Sequence, residues 1–306
     1  MSIIEQATKR LEELRRAGIE VPVMPMPNAA PSDALGTTSV VATQALRSTS
    51  TVPGHQDFVA LPSRRSREVV IDLPRLEREG YLVPSQARSK LAEQMRIIKR
   101  PLLANARGDS GQSIPRPNLI QVASAMPEEG KTFFAINLAI SIAMEVDHHV
   151  LLVDADVLRP SVLRRLGVEP APGLLDVLQS KDLTLSDVLL RTNVEKLSLL
   201  PAGAAHQKST ELLASAGMDA LLDELASKYS DRIIVFDAPP LIPTTESRVL
   251  ATHVGQVVMV VEAEKTTHAQ VSQAYAAVAQ CPVVLSVLNK CQSKGAGDAY
   301  GYYYSA

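Results

Sequence analysis

Val122-Ala-Ser-Ala-Met-Pro-Glu-Glu-Gly-Lys-Thr132 decides how the rest of this 306-residue chain is read. The stretch closes an apolar run, Asn118–Ser124, and opens a helix-forming run, Lys131–Glu145, with an apolar stripe. Strand, short loop ending in Gly-Lys-Thr, helix: this is the context of a phosphate-binding loop, whose backbone N–H groups converge on phosphate oxygens. Pro127, Glu128, Glu129, Gly130, Lys131 and Thr132 are therefore the expected nucleotide-binding residues. Lys131 brings a point charge to the terminal phosphates, and Thr132 offers a hydroxyl to Mg²⁺. Ala125 stands where such loops usually have their first glycine, so the motif is a variant. Glu128 and Glu129 read as negative charges beside the loop that tune nucleotide affinity.

Two further motifs follow in order. Val150-Leu-Leu-Val-Asp-Ala-Asp156 ends a strand, His149–Asp154, with two carboxylates where ligands bind in open α/β sheets. Asp154 and Asp156 are suited to holding Mg²⁺ or to taking a proton from an attacking hydroxyl, with a helix N-cap at Asp156 as the lesser alternative. Arg232-Ile-Ile-Val-Phe-Asp237-Ala-Pro-Pro240 is four apolar residues, an aspartate facing the metal and a double proline that stops the strand. Leu197–Leu200, Val257–Val261 and Val283–Leu288 complete a set of Val/Ile/Leu-rich strands, with a helix between the last two ending near Gln280. Near-continuous apolar strands alternating with helices imply a parallel sheet covered on both faces. The expected fold is α/β: a three-layer sandwich of the P-loop NTPase type, mainly parallel, preceded by a helical and disordered extension.

The flanks differ from this core. Residues 1–18 read as an amphipathic helix, with a capping box at Ser2 and Glu5 and a stop at Gly18. Residues 19–62, rich in Pro, Ala, Ser and Thr, read as a disordered linker. Residues 63–116 read as a basic helical segment: ten Lys/Arg face five acids between Ser63 and Arg100. Residues 117–292 carry the motifs, and 293–306 read as a mobile tail that holds four of the seven tyrosines, Tyr300, Tyr302, Tyr303 and Tyr304. Clustered phenols with no aliphatic partners make poor structure and good phosphate acceptors. A net charge of −2 argues against nucleic acid as a partner. The two cysteines, Cys281 and Cys291, read as reduced thiols, and no apolar run reaches the ~18–20 residues of a membrane span. A cytoplasmic protein is expected.

With these residues in view, the sequence resembles the bacterial tyrosine kinases, P-loop enzymes that regulate polysaccharide synthesis and export. Their Walker A, Walker A′, Walker B and C-terminal tyrosine cluster are similar to Ala125–Thr132, Leu151–Asp156, Ile233–Asp237 and Tyr300–Tyr304. Glu93-Gln-Met-Arg96-Ile-Ile-Lys99 resembles the family's oligomerisation helix, and Glu211-Leu-Leu-Ala-Ser215 a further family segment. The extension and Lys99-Arg-Pro-Leu-Leu103 look like the autokinases linked to exosortase and exopolysaccharide loci. The resemblance implies phosphoryl transfer from MgATP to tyrosine. Thr132, Asp154 and Asp237 would arrange Mg²⁺, with Lys131 on the phosphates and Asp156 taking the phenol proton. It also implies a homo-oligomeric ring joined through Glu93, Arg96 and Lys99, and a membrane-bound chain-length-determinant-like activator that recruits the chain to the inner face of the inner membrane.

The sequence departs from the family pattern at Glu128 (usually glycine), Leu158 (usually arginine) and Lys99 (usually arginine). A glutamate is disfavoured if the loop needs positive φ. Two rival readings share the fold. A partition or division-site ATPase usually has a second lysine near the loop's start, where this chain has Ser124, Ala125 and Met126. The other rival is a nucleotide-dependent scaffold without transfer activity. Asn289, after the last strand, is read as contacting the base or as a turn former.

Overall fold

The computed structural model of the chain describes residues 67–109, 111–180, 182–229 and 231–291. Along each central strand, successive aliphatic side chains enter opposite cores, as the period of two requires. Ile120 and Val122, Val150 and Leu152, and Ile233 and Val235 join one core. Leu119 and Ala123, Leu151 and Val153, and Ile234 and Phe236 join the other. A sheet buried on both faces needs helices on both.

The elements run β1 (Arg67–Val69), α1 (Leu73–Arg78), α2 (Lys90–Arg107), β2 (Leu119–Ser124), α3 (Lys131–Ala143), β3 (His149–Asp154), α4 (Val162–Leu166), α5 (Leu174–Gln179), α6 (Leu185–Val188), β4 (Leu190–Thr192), β5 (Leu197–Leu200), α7 (Ser209–Leu213), α8 (Ala216–Lys228), β6 (Arg232–Asp237), α9 (Glu246–Ala251), β7 (Gln256–Glu262), α10 (His268–Ala277) and β8 (Val283–Asn289). The sheet order is β1-β4-β5-β3-β6-β2-β7-β8. Every pairing is parallel except β4 with β5. This is the mainly parallel three-layer sandwich that the sequence implies.

Helix α3 is apolar nearly all round: eleven of its thirteen residues are buried. Such a helix needs cover on its outer side as well, and α2 supplies it through Met95, Leu102 and Leu103. Ser89 caps α2 by accepting from the Ala92 N–H at 3.2 Å, and Gly108 ends it in the left-handed conformation. Residues 67–116 therefore share the sheet and core of the motif-bearing segment. Helices α8, α9 and α10 cover the opposite face through Leu222, Leu225, Leu250 and Ala274.

The expected helix at 1–18, the linker at 19–62, Arg64, Arg65 and the tail 293–306 with Tyr300, Tyr302, Tyr303 and Tyr304 lie outside the described residues. Among the described residues no helix is long and apolar enough to cross a membrane.

Candidate functional site

Parallel strands end together. In register, β3 and β6 put Asp154 directly beside Asp237, each the last residue of its strand. Strand β2 pairs with β6 on the other side of Asp237, its Val122 in register with that aspartate, and the loop leaving β2 leads into α3. The motifs of the sequence thus meet at one sheet edge for a topological reason.

Asp237 is fully buried, and neither carboxylate oxygen has a hydrogen-bond partner. Asp154 is 2% exposed. Its Oδ2 accepts from the Ser161 and Val162 N–H groups, each at 3.0 Å, which ties the strand end to the start of α4. Its Oδ1 is unpartnered. Burial pushes the Asp154 carboxyl up to about 7, the neighbouring Asp237 adds to the rise, and the two backbone N–H groups oppose it. Burial likewise lifts Asp237 to about 6, against the pull of the Lys131 ammonium and of the Thr132 hydroxyl, which lies near the carboxylate without reaching hydrogen-bond geometry. Buried carboxylates without partners are costly, and a cation is the usual remedy.

Lys131 Nζ lies 2.8 Å from Asp156 Oδ2, both side chains largely buried. Asp156 Oδ1 accepts from the Arg159 N–H at 3.1 Å, so the cap-like bond expected of this residue accompanies an ion pair. Thr132 is buried, with Ser161 Oγ 3.4 Å from its hydroxyl. Lys131, Thr132, Asp154, Asp156 and Asp237 are therefore brought together. Among the described residues no group of three or more His, Cys, Asp or Glu could hold a metal ion. Two carboxylates and a threonine fit Mg²⁺, which completes its shell with water and substrate phosphates.

The loop has the geometry of an anion nest. Glu128 sits at φ 66° and Gly130 at φ 98°, conformations that turn successive N–H groups into one concavity. Glutamate at positive φ costs about 1 kcal/mol relative to glycine. Glu129 does more than place a negative charge beside the loop. It is buried; its Oε2 accepts from the Met126 N–H at 2.8 Å, and its Oε1 accepts from the Thr266 hydroxyl. It braces the loop. Pro127 is exposed at the loop's tip. Asn289 donates from Nδ2 to the Glu129 carbonyl at 2.9 Å, so its amide engages the loop's backbone. Thr266 and Lys290, which also touch the loop, escape the sequence reading. Proximity to Asn289 is the only signal that could have pointed to Lys290. Leu158, in the place of the family's arginine, is 52% exposed.

The expected oligomerisation residues divide between two environments. Glu93 and Arg96 lie on the exposed side of α2 and pair with each other, Arg96 also donating to the Ala87 carbonyl at 3.2 Å. Lys99 lies on the buried flank of the same helix. It is 4% exposed, its Nζ is 2.7 Å from Glu145 Oε1, and it donates to the Ser141 carbonyl. Three residues on from Arg96, the helix has turned it into the α2–α3 seam, where it closes the carboxyl end of α3.

A family model described as "AAA domain" matches residues 119–285. Tyrosine-protein kinase YwqD of Bacillus subtilis is 30% identical over 185 residues, covering 60% of this chain and 76% of that protein. The succinoglycan biosynthesis transport protein ExoP of Rhizobium meliloti is 30% identical over 206 residues, 66% of this chain but 25% of ExoP. Among solved structures, the kinase domain of the Escherichia coli tyrosine kinase ETK superposes with a TM-score of 0.53 at 28% identity, covering 58% of this chain and 69% of that one. The chain thus spans three quarters of one curated relative and about a quarter of several others.

Proposed function

The chain belongs to the bacterial tyrosine-protein kinase family, and from that premise we propose that it is an ATP-dependent tyrosine autokinase whose acceptors are Tyr300, Tyr302, Tyr303 and Tyr304. One observation carries the reading: Asp154 and Asp237 stand side by side at one sheet edge, buried with three unpartnered oxygens, next to a lysine-bearing anion nest. Carboxylates so placed are matched by Mg²⁺ and a triphosphate.

Loop N–H groups and Lys131 bind the terminal phosphates, Lys131 exchanging Asp156 for phosphate as the nucleotide enters. Thr132, Asp154 and Asp237 hold Mg²⁺, directly or through water. When bound, the ion neutralises charge building on the transferred group. The acceptor phenol oxygen attacks the γ-phosphorus, the bond to the β–γ bridging oxygen breaks, and ADP leaves. Asp156, freed from Lys131, takes the phenol proton. Catalysis rests on positioning and charge stabilisation.

In this reading residues 117–292 perform the transfer and 293–306 present the acceptors to a neighbouring copy in a ring. Residues 63–116 join the copies through the exposed Glu93–Arg96 side of α2, with Lys99 in a structural role. Residues 1–18, on the linker 19–62, reach a membrane-bound activator of the chain-length-determinant type, which brings the chain to the inner face of the inner membrane and links it to exopolysaccharide export. The name of ExoP supports the polysaccharide connection.

The test is incubation of purified full-length chain with MgATP, then mass spectrometry of the C-terminal peptide, with Lys131→Met as control. Phosphate on the tail tyrosines of the wild type alone is expected. ATP hydrolysis without phosphotyrosine would favour a partition-type ATPase, and nucleotide binding without either reaction a scaffold.

A further inference from the structure

A loop that turns its N–H groups inward must turn carbonyls outward, and those carbonyls need donors. Here both donors come from the end of β8. Lys290 Nζ donates to the Glu128 carbonyl at 2.7 Å, and Asn289 Nδ2 donates to the Glu129 carbonyl at 2.9 Å. The fit is close: a Cβ added at Gly130 would lie 2.2 Å from Asn289 Nδ2. Lys290 is itself fixed, at φ 58°, with its ammonium 3.2 Å from Glu262 Oε2. Glu262 is anchored in turn by Lys265 at 3.1 Å and by its own N–H, which donates to Thr266 Oγ1 at 3.2 Å. The Thr266 hydroxyl then reaches Glu129. The β7–α10 turn and the end of β8 thus form one brace on the back of the loop.

We propose that Lys290 and Asn289 are positioning residues of the nucleotide site: they hold the Glu128 and Glu129 carbonyls outward and thereby keep the loop N–H groups aimed at phosphate, without touching the nucleotide. The proposal rests on the reading that this loop binds a nucleoside triphosphate, and it deepens that reading. It also explains how glutamate is tolerated at position 128. A glycine there takes up positive φ without help, whereas Glu128 needs a charge-assisted bond to its carbonyl to stay in that conformation. Glu128 and Lys290 should therefore be energetically coupled.

The experiment is a double-mutant cycle on the full-length chain, with MgADP affinity read by titration calorimetry and folding checked by thermal melting. Lys290→Met is expected to raise Kd about tenfold, the size of one hydrogen bond to a charged group. Lys290→Arg, which keeps a donor, should stay near wild type. Adding Glu128→Gly to Lys290→Met should recover most of the loss, because glycine no longer requires the brace. Should Lys290→Met melt below the assay temperature, Lys290→Ala, which also lacks a donor, carries the test with the same sign. An unchanged Kd in the variant that lacks a donor at position 290 overturns the proposal. So does a loss that Glu128→Gly cannot recover, since that is the behaviour of a lysine contacting phosphate directly. Failure of the wild type to bind MgADP at all would instead overturn the functional reading, and this proposal with it.

Discussion

Two groups of buried charge sit on opposite sides of helix α3, and they have opposite fates. At its carboxyl end, Lys99 is satisfied by Glu145 and by the Ser141 carbonyl. Near its amino end, Asp154 and Asp237 keep three oxygens with no partner. Lys99, Asp154 and Asp237 are all buried; what differs is whether the chain supplies the counter-charge. A charge the chain satisfies itself is structural, whereas a charge left open is held for something that arrives. The lysine of the site sits between these cases: Lys131 is paired with Asp156, a partner that the proposed reaction exchanges for phosphate.

The comparison is tested most severely at Lys131. Lys131→Met should lower tyrosine phosphorylation at least about 100-fold, the scale of removing one preorganised charge from the transition state, while leaving the fold intact by circular dichroism. Next is Asp237→Asn. Asp237 and Asp154 have folded pKa values of about 6 and about 7, both above the 3.8 of an unperturbed aspartate. Between about pH 4 and 7 the native chain holds protons that the unfolded chain has released, so their contribution to stability is full below pH 4 and is lost as pH rises through 6 to 7. At pH 8 without nucleotide, Asp237→Asn should therefore be more stable than wild type by about 2 kcal/mol, an advantage that shrinks toward pH 5. The same variant should bind MgADP more weakly. Urea unfolding at the two pH values checks the first statement and calorimetry the second. If Asp237→Asn destabilises at pH 8, the carboxylate is a structural element like Lys99 and the comparison fails.

On the satisfied side the sign reverses. Lys99→Met should destabilise by about 1–2 kcal/mol, moderated because Glu145 is 40% exposed and stays hydrated once alone. It should leave the MgADP Kd unchanged. The smallest effect is expected at the loop, where Glu128→Gly should stabilise by about 0.5 kcal/mol in urea unfolding, relief of positive φ being partly offset by the flexibility of glycine in the unfolded chain.

Much of this was legible in the sequence, for identifiable reasons. The six strands read from their aliphatic runs are present within a residue or so, because a parallel sheet buried on both faces leaves no polar position to blur the pattern. Strands β1 and β4 were missed: at three residues each they are too short to show a period. The aspartates were legible because a charge closing an apolar strand is conspicuous. The directions of Lys99 and Glu129 were not. A charged residue reads as exposed unless its partner is known, and here the partners, Glu145 and Thr266, lie 46 and 137 residues away on other elements. The all-apolar α3 announces burial without naming what covers it, so the seam that takes in Lys99 emerges only from the packed structure.

The central claim is that Asp154 and Asp237 are kept open for a cation brought with phosphate. It is tested most directly by counting protons as MgADP binds at pH 6.5, by calorimetry in two buffers of different ionisation enthalpy with Mg²⁺ in excess. Carboxyls held at about 6 and about 7 are partly protonated there and must release protons to face a divalent ion. Net proton release that disappears in the Asp154→Asn, Asp237→Asn double variant is predicted. Binding with no proton release, or with release unchanged in that variant, would contradict the account.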